Sequence, residues 1–315
     1  MSHPQCCIGR NEQVNGLKKP DNLFNVKNLF NKSLKSSVSL PAAEFVMGSD
    51  HNSVISGDRE TPARSVHVFD FSIDSTPVTN KQFSRFIRAT RYITDAESIG
   101  WSFVFHSFIT QRAQKMVISS VGGAGWWLAV EKATWRSPEG LDSNIDNRMN
   151  HPVVHVSWND ALAYCEWKKN RLPTEVEWEY AARGGLNQKQ FPWGDKLTSD
   201  GTHFANVWQG DFPTNNSAED GYIGTSPVRT YSSNNFGLFD MVGNVWEWCI
   251  DPWFDDPGKV NYNSNMTLEN STRKVIRGGS YLCHESYCTR YRVSARTFNT
   301  ADSSSGNLGF RCAGQ

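Results

Sequence analysis

The sequence has no apolar run long enough to cross a membrane. Its longest nearly apolar stretch, VISSVGGAGWWLAV, covers 14 residues, short of the roughly 20 that a helical span needs. Net charge is missing too: 32 basic residues face 32 acidic ones. That excludes the basic footprint of a nucleic-acid binder and argues against electrostatic attachment to a membrane. No Cys-x-x-Cys occurs, so neither a zinc ribbon nor a thioredoxin-type motif is signalled. The opening text MSHPQCCIGRNEQVNGLKKPDNLF has no apolar core followed by a small-residue cleavage site. The expectation is a cytoplasmic protein. A chain whose signal had been removed would read the same way, and sequons at Asn31, Asn215, Asn265 and Asn270 fit a secretory compartment.

What the chain does hold is aromatic and punctuating residues: 12 Trp, 24 Gly and 13 Pro in 315 residues. This composition describes a loop-rich globule held by large aromatic anchors rather than a helical bundle. Residues 1–40 are Asn- and Lys-rich, carry six basic against two acidic residues, and repeat NLFN. They read as a flexible N-terminal arm, docked lightly through Phe24 and Phe30. No linker divides residues 41–315, so the remainder is one domain. SVHVFDFSI alternates as a strand does. PVTNKQFSRFIRAT reads as a helix, with Thr79 and Gln82 forming a capping box. SWNDALAYCEWKK is a second helix, with Ser157 as its N-cap. PTEVEWEYAARGG is a third, boxed by Thr174 and Glu177 and stopped by Gly184 and Gly185. Past residue 186 no period of 3.6 or 2 is sustained. Irregular backbone of that length must satisfy its polar groups through side chains, water or a bound ion. The fold class is α+β, a single compact domain with little regular secondary structure.

Seven cysteines occur, Cys6, Cys7, Cys165, Cys249, Cys283, Cys288 and Cys312. An odd number leaves at least one thiol outside any intramolecular disulfide, and Cys249 reads as a packed thiol. Cys283 and Cys288 sit in RGGSYLCHESYCTRYR. On a strand an odd offset sends them to opposite faces, and on a helix five steps leave them about 140° apart. A turn through HESY brings them together, with KVIR leading in and the alternating TRYRVSAR leading out. Arg277, His284, Arg290, Arg292 and Arg296 crowd the stretch, and nearby positive charge favours thiolate over thiol. A structural disulfide, a metal clip and a reactive thiol pair all remain open on spacing alone.

Longer text resembles a known family. RGGSYLCHESYCTRYRVSARTFNTADSSSGNLGFRCA is similar to the signature end of the formylglycine-generating enzymes, the sulfatase-modifying factors. So are HPVVHVSWNDALAYCEWKKNRLPTEVEWEYAARGG, FPWGD, HFANVWQGDFPTNNSAEDGYIGTSPV and FGLFDMVGNVWEW, in order, from about residue 42 to residue 313. The resemblance implies a formylglycine-generating-enzyme, C-type-lectin-like fold and makes residues 41–315 the catalytic domain. It implies an oxidase that converts the cysteine of a Cys-x-Pro-x-Arg motif in unfolded sulfatase polypeptides to Cα-formylglycine, consuming O2. By position, Cys283 and Cys288 match the pair that holds Cu(I), a soft ion that prefers thiolates at low coordination number. Ser280, Tyr287 and Trp248 match neighbours of the oxygen and thiolate site. Ser102 matches a peptide-groove position, and His284 is a further substrate-side candidate.

The resemblance also implies structural Ca2+ at two sites. One would use Asn206, the Val207 carbonyl, Asp220 and the Tyr222 carbonyl. The other would use the carbonyls of Val242, Gly243 and Val245 with the Glu247 carboxylate. Hard oxygen ligands of this kind suit Ca2+. Cys165 and Cys312 match a disulfide of relatives. Ala182 and Val293 stand where animal members have a second disulfide, and Pro77 and Trp101 stand where those members are acidic. The expected chain is a monomer that uses neither nucleic acid nor membrane. Two other functions compete on the same scaffold. A non-catalytic binding module would not need the thiol pair. An iron-dependent sulfoxide synthase needs three histidines, whereas only His151 and His155 stand close together.

Overall fold

Among the described residues, four short α-helices start where the chain caps them. In this computed structural model, which describes Gly9 and residues 37–254 and 272–314, Thr79 caps α1 (Asn80–Thr90) through a two-way box with Gln82. Thr94 does the same with Glu97 for α2 (Asp95–Ile99), Ser157 with Asp160 for α3 (Trp158–Lys168), and Thr174 with Glu177 for α4 (Glu175–Arg183). Each box satisfies backbone donors that a helix N-terminus otherwise leaves orphaned. The sequence predicts three of the four. The fourth, α2, has five residues, too few to show a helical period. Gly184 takes the left-handed conformation that ends α4, as the double glycine predicts.

The strands form several small sheets rather than one large one. β1 (Ser37–Leu40), β4 (Phe71–Asp74) and β16 (Ala313–Gly314) make one sheet with β4 central. Residues 37–40, assigned from sequence to the arm, are therefore a strand of the domain. β2 (Ala43–Met47) pairs β3 (Arg64–Val68), so SVHVFDFSI divides between β3 and β4. β5 (Trp101–Phe105), β7 (Ala124–Glu131) and β6 (Val117–Val121) form a second three-stranded sheet with β7 central. Two-residue pairs β8 (Thr198–Ser199) with β9 (Thr202–His203), and β10 (Gly210–Asp211) with β11 (Asn215–Asn216), are the regular structure of the long irregular stretch. The last sheet runs β14 (Arg296–Thr300), β13 (Arg273–Arg277), β12 (Trp246–Pro252), β15 (Leu308–Gly309).

One large apolar cluster joins α1, α3, α4 and the last sheet, and a second gathers around β5 and β7. Trp127, Trp135, Trp178, Trp246 and Trp248 are almost wholly buried. Such side chains supply much of the apolar area that a loop-rich domain can bury. Among the described residues no helix is long and apolar enough to cross a membrane.

Candidate active site

The cysteine pair sits on a double turn that follows β13. Gly278 and Gly279 both have positive φ, 95° and 72°. A Cβ on Gly279 would lie 2.9 Å from the Tyr291 backbone, so RGGS is needed to let the two arms of the turn approach. The Cys283 amide then donates to the Ser280 carbonyl at 2.9 Å, and the Tyr287 and Cys288 amides both donate to the His284 carbonyl, at 3.1 and 2.7 Å. These turns bring Cys283 Sγ and Cys288 Sγ to 3.2 Å. They are not bonded to each other, and both residues are buried, at 1% and 2% exposure. The bend predicted through HESY is present. The alternation of TRYRVSAR does not make a strand as it leaves the bend: residues 290–294 are turns and bends, and β14 starts only at Arg296.

The arginines of this stretch act as internal ties rather than as an electropositive surround. Arg290 holds Asp58 at two points, 2.6 and 2.8 Å. Arg292 holds Glu60 likewise, at 2.5 and 2.7 Å. Arg296 holds Glu175 at 2.5 and 2.8 Å, and Arg277 reaches Glu175 at 3.3 Å and also contacts Glu179. All four arginines are buried. Burial pushes the Glu60 carboxyl upward, but the Arg292 guanidinium, the Ser294 hydroxyl and the Ile55 amide outweigh it and hold the carboxyl below its usual value. Glu175 ends below its usual value in the same way, burial being overcome by Arg296 and Arg277. The guanidiniums of Arg277 and Arg292 also bind backbone. Arg277 donates to the carbonyls of Val293 and Ser294 at 2.9 and 3.0 Å, fastening the segment that leads into the turn to the one that leads out. The charges that sequence reading offered to the thiolates are thus spent on carboxylates. The matched pairs Asp58/Arg290 and Glu60/Arg292, each 232 residues apart, carry no signal in a single sequence beyond the equal spacing of D-x-E and R-x-R.

Around the thiols, the Ser280 hydroxyl receives the Asn307 amide at 3.0 Å, and Asn307 Oδ1 accepts from Ser305 at 2.7 Å. Asn307 was not singled out from sequence. The Tyr291 phenol is pushed up by burial first and then by Cys283, Glu285 and Cys288. Half-buried Tyr287 stacks on Phe212 at 4.5 Å and meets Trp126 edge-on at 5.2 Å. Phe212 also meets Trp208, whose amide donates to the Cys283 carbonyl at 3.1 Å. This half-exposed aromatic face adjoins the cysteine turn. His284 lies on the same turn, half-buried, with Nδ1 2.9 Å from the Ser286 hydroxyl.

Two further candidates are buried. Trp248 is fully buried in the main cluster, its indole N–H bonded to the Val156 carbonyl at 3.1 Å. Ser102 does not face a groove: every residue of β5 is buried, and its hydroxyl lies 2.7 Å from that of Ser304 and 2.8 Å from His155 Nδ1. A cavity of about 330 Å³ opens beside Tyr281, Phe105 and Gly306, but neither cysteine lines it. His151 is bonded to Thr225 rather than to a partner histidine, and among the described residues no group of three metal-ligating side chains gathers.

The two oxygen-ligand sets differ in fit to a cation. At the first, Asn206 Oδ1 is buried with no hydrogen-bond partner, and burial pushes the Asp220 carboxyl up. An unsatisfied oxygen beside a desolvated carboxylate fits a hard cation. At the second, Glu247 is held by Arg311 at 2.7 and 2.8 Å and by the Trp178 indole at 2.8 Å. That carboxylate fits an ion only if shared with Arg311. Cys165 Sγ and Cys312 Sγ lie 3.5 Å apart, both buried and not bonded to each other.

Comparison with known proteins supplies the frame for this geometry. The family model described as "Sulfatase-modifying factor enzyme 1-like domain" matches residues 25–315. The formylglycine-generating enzyme of Streptomyces coelicolor is 51% identical over 287 residues, covering 90% of each chain. The "Inactive C-alpha-formylglycine-generating enzyme 2" of Bos taurus is 45% identical over 288 residues, again 90% of each. Among solved structures, PvdO from Pseudomonas aeruginosa superposes with a TM-score of 0.64 at 25% identity, covering 95% of this chain and all of that one. A family match over nearly the whole chain, with half the aligned residues identical to a curated member, shows that this chain belongs to the sulfatase-modifying factor enzyme family.

Proposed function

We propose that the chain is a formylglycine-generating oxidoreductase that activates sulfatases, with Cys283 and Cys288 holding Cu(I). The single observation that carries this reading is the contact between their sulfurs, 3.2 Å apart on one bend. Identity alone does not decide activity, since a relative named as inactive is 45% identical; two adjacent thiols are a chemical feature that a purely structural scaffold does not need.

The donor set suits the ion. Two thiolates satisfy a soft monovalent metal and leave room for a third sulfur, that of the substrate cysteine. When bound, copper would supply the one-electron chemistry toward O2 that side chains lack. The residues supply the rest. Ser280, fixed by Asn307 at 3.0 Å, offers a hydroxyl on the residue whose carbonyl anchors the Cys283 amide. Tyr287, stacked on Phe212, offers a flat face against which an extended peptide can lie. Burial of the two cysteines keeps bulk water from the thiols until the peptide enters. In the reaction two electrons and two protons leave the substrate's CH2–SH for O2, giving a thioaldehyde. Water then adds to its carbon and sulfide departs, leaving the aldehyde. The partner is an unfolded sulfatase segment with Cys-x-Pro-x-Arg. Ca2+ held by Asn206, Val207, Asp220 and Tyr222 would stiffen the irregular stretch.

The test is reconstitution with Cu(I) and a peptide containing Leu-Cys-Thr-Pro-Ser-Arg under air. Aldehyde formation with O2 uptake, lost in Cys283→Ser and in Cys288→Ser, is expected. A copper-loaded enzyme that yields neither would end the reading in favour of a non-catalytic binding module.

A further inference from the structure

We infer that the segment from Gly48 to Glu60, some 230 residues upstream of the cysteines, is a positioning device for Cys288, with Glu60 and Arg292 as its working parts; the inference rests on the thiol pair being the functional centre. Arg292 uses both terminal nitrogens on Glu60, at 2.5 and 2.7 Å, while its Nε donates at 3.1 Å to the carbonyl of Thr289, the residue that follows Cys288. Ser294 adds a third bond to Glu60 at 2.7 Å. One residue pair thus grips the peptide next to the second sulfur from outside the turn.

The grip is anchored at its other end. The Gly48 amide donates to Glu179 at 2.7 Å, and Arg183 donates to the Gly48 carbonyl at 2.7 Å. The Ser49 amide closes the segment on the Glu60 carbonyl at 3.0 Å, an approach so close that a Cβ on Gly48 would lie 2.3 Å from that oxygen. Glu179 also contacts Arg277, at the end of β13. The support therefore runs from Arg277, before Cys283, through Glu179 and Gly48 to Glu60, Arg292 and Thr289, after Cys288. A turn held at both ends by one connected network keeps two sulfurs at a fixed separation. That is what a two-coordinate soft ion requires, and partners that orient ligands commonly tune affinity by about 10- to 100-fold. A disulfide would hold its own spacing covalently and would need no such clamp.

The test compares Glu60→Gln, Arg292→Lys and Phe86→Leu, the last a packing change in α1 remote from the turn. Two probes report the spacing of the sulfurs: Cu(I), by competition with a chelator of known affinity, and phenylarsine oxide, which must bridge two thiols. Folding is followed by near-UV circular dichroism. The expected result is a loss of about tenfold or more in affinity for both probes in Glu60→Gln and Arg292→Lys, with Phe86→Leu unchanged, and partial recovery in Glu60→Asp. Wild-type affinity in folded Glu60→Gln overturns the inference. So does an equal loss in Phe86→Leu, which would trace the effect to general loosening. If the unaltered protein takes phenylarsine oxide but not Cu(I), the copper reading falls and the arsenical arm alone judges the clamp.

Discussion

Arg311 closes a two-point ion pair on Glu247 at 2.7 and 2.8 Å, and both side chains are essentially without exposure. The guanidinium is further bonded to the carbonyls of Asp74, Phe239 and Asp240, so β12, the strand before α1 and the chain end meet at one cation. Removing one partner strands the other charge in the core, which costs about 3–5 kcal/mol. Arg311→Met should lower the urea-unfolding free energy by that amount. Glu247→Gln combined with Arg311→Met should recover part of it, since no lone charge is left. A fall of less than about 1 kcal/mol in the single variant, the range of surface pairs, would show that the pair is solvated after all.

Calcium supplies a second expectation. Asn206 Oδ1 is buried with no partner and the Asp220 carboxyl is raised by burial; a divalent ion would relieve both. Binding to the folded state alone stabilises by about 2.7 kcal/mol at a hundredfold excess over Kd. Chelation of the purified protein should therefore lower its melting temperature, and added Ca2+ should restore it. Asp220→Ala should melt lower and ignore the chelator. A melting temperature indifferent to chelation in the unaltered protein sinks this assignment.

Asp251 makes the pH dependence unusual. Burial first, then the neighbouring Glu175, pushes its carboxyl to about 7 from a usual 3.8. A carboxyl raised on folding binds a proton that the unfolded chain releases, so its contribution to stability is lost as pH rises from about 4 to about 7, at a slope near 1.4 kcal/mol per unit. Glu60 and Glu175, lowered on folding, work in the opposite sense: their contribution is present above the usual 4.5 and is lost as pH falls. Asp251→Asn keeps an oxygen for the Glu175 amide that now donates to Asp251 at 2.6 Å and has no proton to exchange. Its stability relative to the unaltered protein should rise across pH 4.5 to 7 in denaturant titrations and then level off. A constant difference across that range would mean that Asp251 is ionised throughout.

What could be read in advance follows contact order along the chain. Capping boxes are local, so Thr79, Ser157 and Thr174 announce their helices correctly. The bend at Cys283 and Cys288 is likewise local, because five residues admit few ways to bring two sulfurs together. The arginines were misread, since their partners Asp58, Glu60 and Glu175 lie more than a hundred positions away. TRYRVSAR alternates in sequence, yet Arg290, Tyr291, Arg292 and Val293 are all buried. With both sets inside, the alternation distinguishes ion-paired from apolar contacts rather than two faces of a strand. Ser102 failed as a groove residue for a related reason. A serine reads as exposed in isolation, but a hydroxyl that meets Ser304 and His155 can be buried at no loss of hydrogen bonds.

Cys165 on α3 and Cys312 just before β16 offer the last test. Their sulfurs are 3.5 Å apart across 147 residues of sequence, and burial, followed by Cys165 itself, pushes the Cys312 thiol well above its usual range. A thiol so placed is a poor nucleophile in the folded protein, so oxidation should proceed faster during refolding than in the native state. Once formed, the cross-link would remove about 5 kcal/mol of unfolded-chain entropy in the loop-closure account. Refolding in a glutathione redox buffer should give a species with a higher denaturant midpoint that reverts on reduction after unfolding. Cys165→Ala with Cys312→Ala should show no such difference, while Cys283→Ser with Cys288→Ser should retain it. If the redox-dependent gain persists without Cys165 and Cys312 and is lost without Cys283 and Cys288, the stabilising bond belongs to the candidate site and the pair at Cys165 and Cys312 is packing alone.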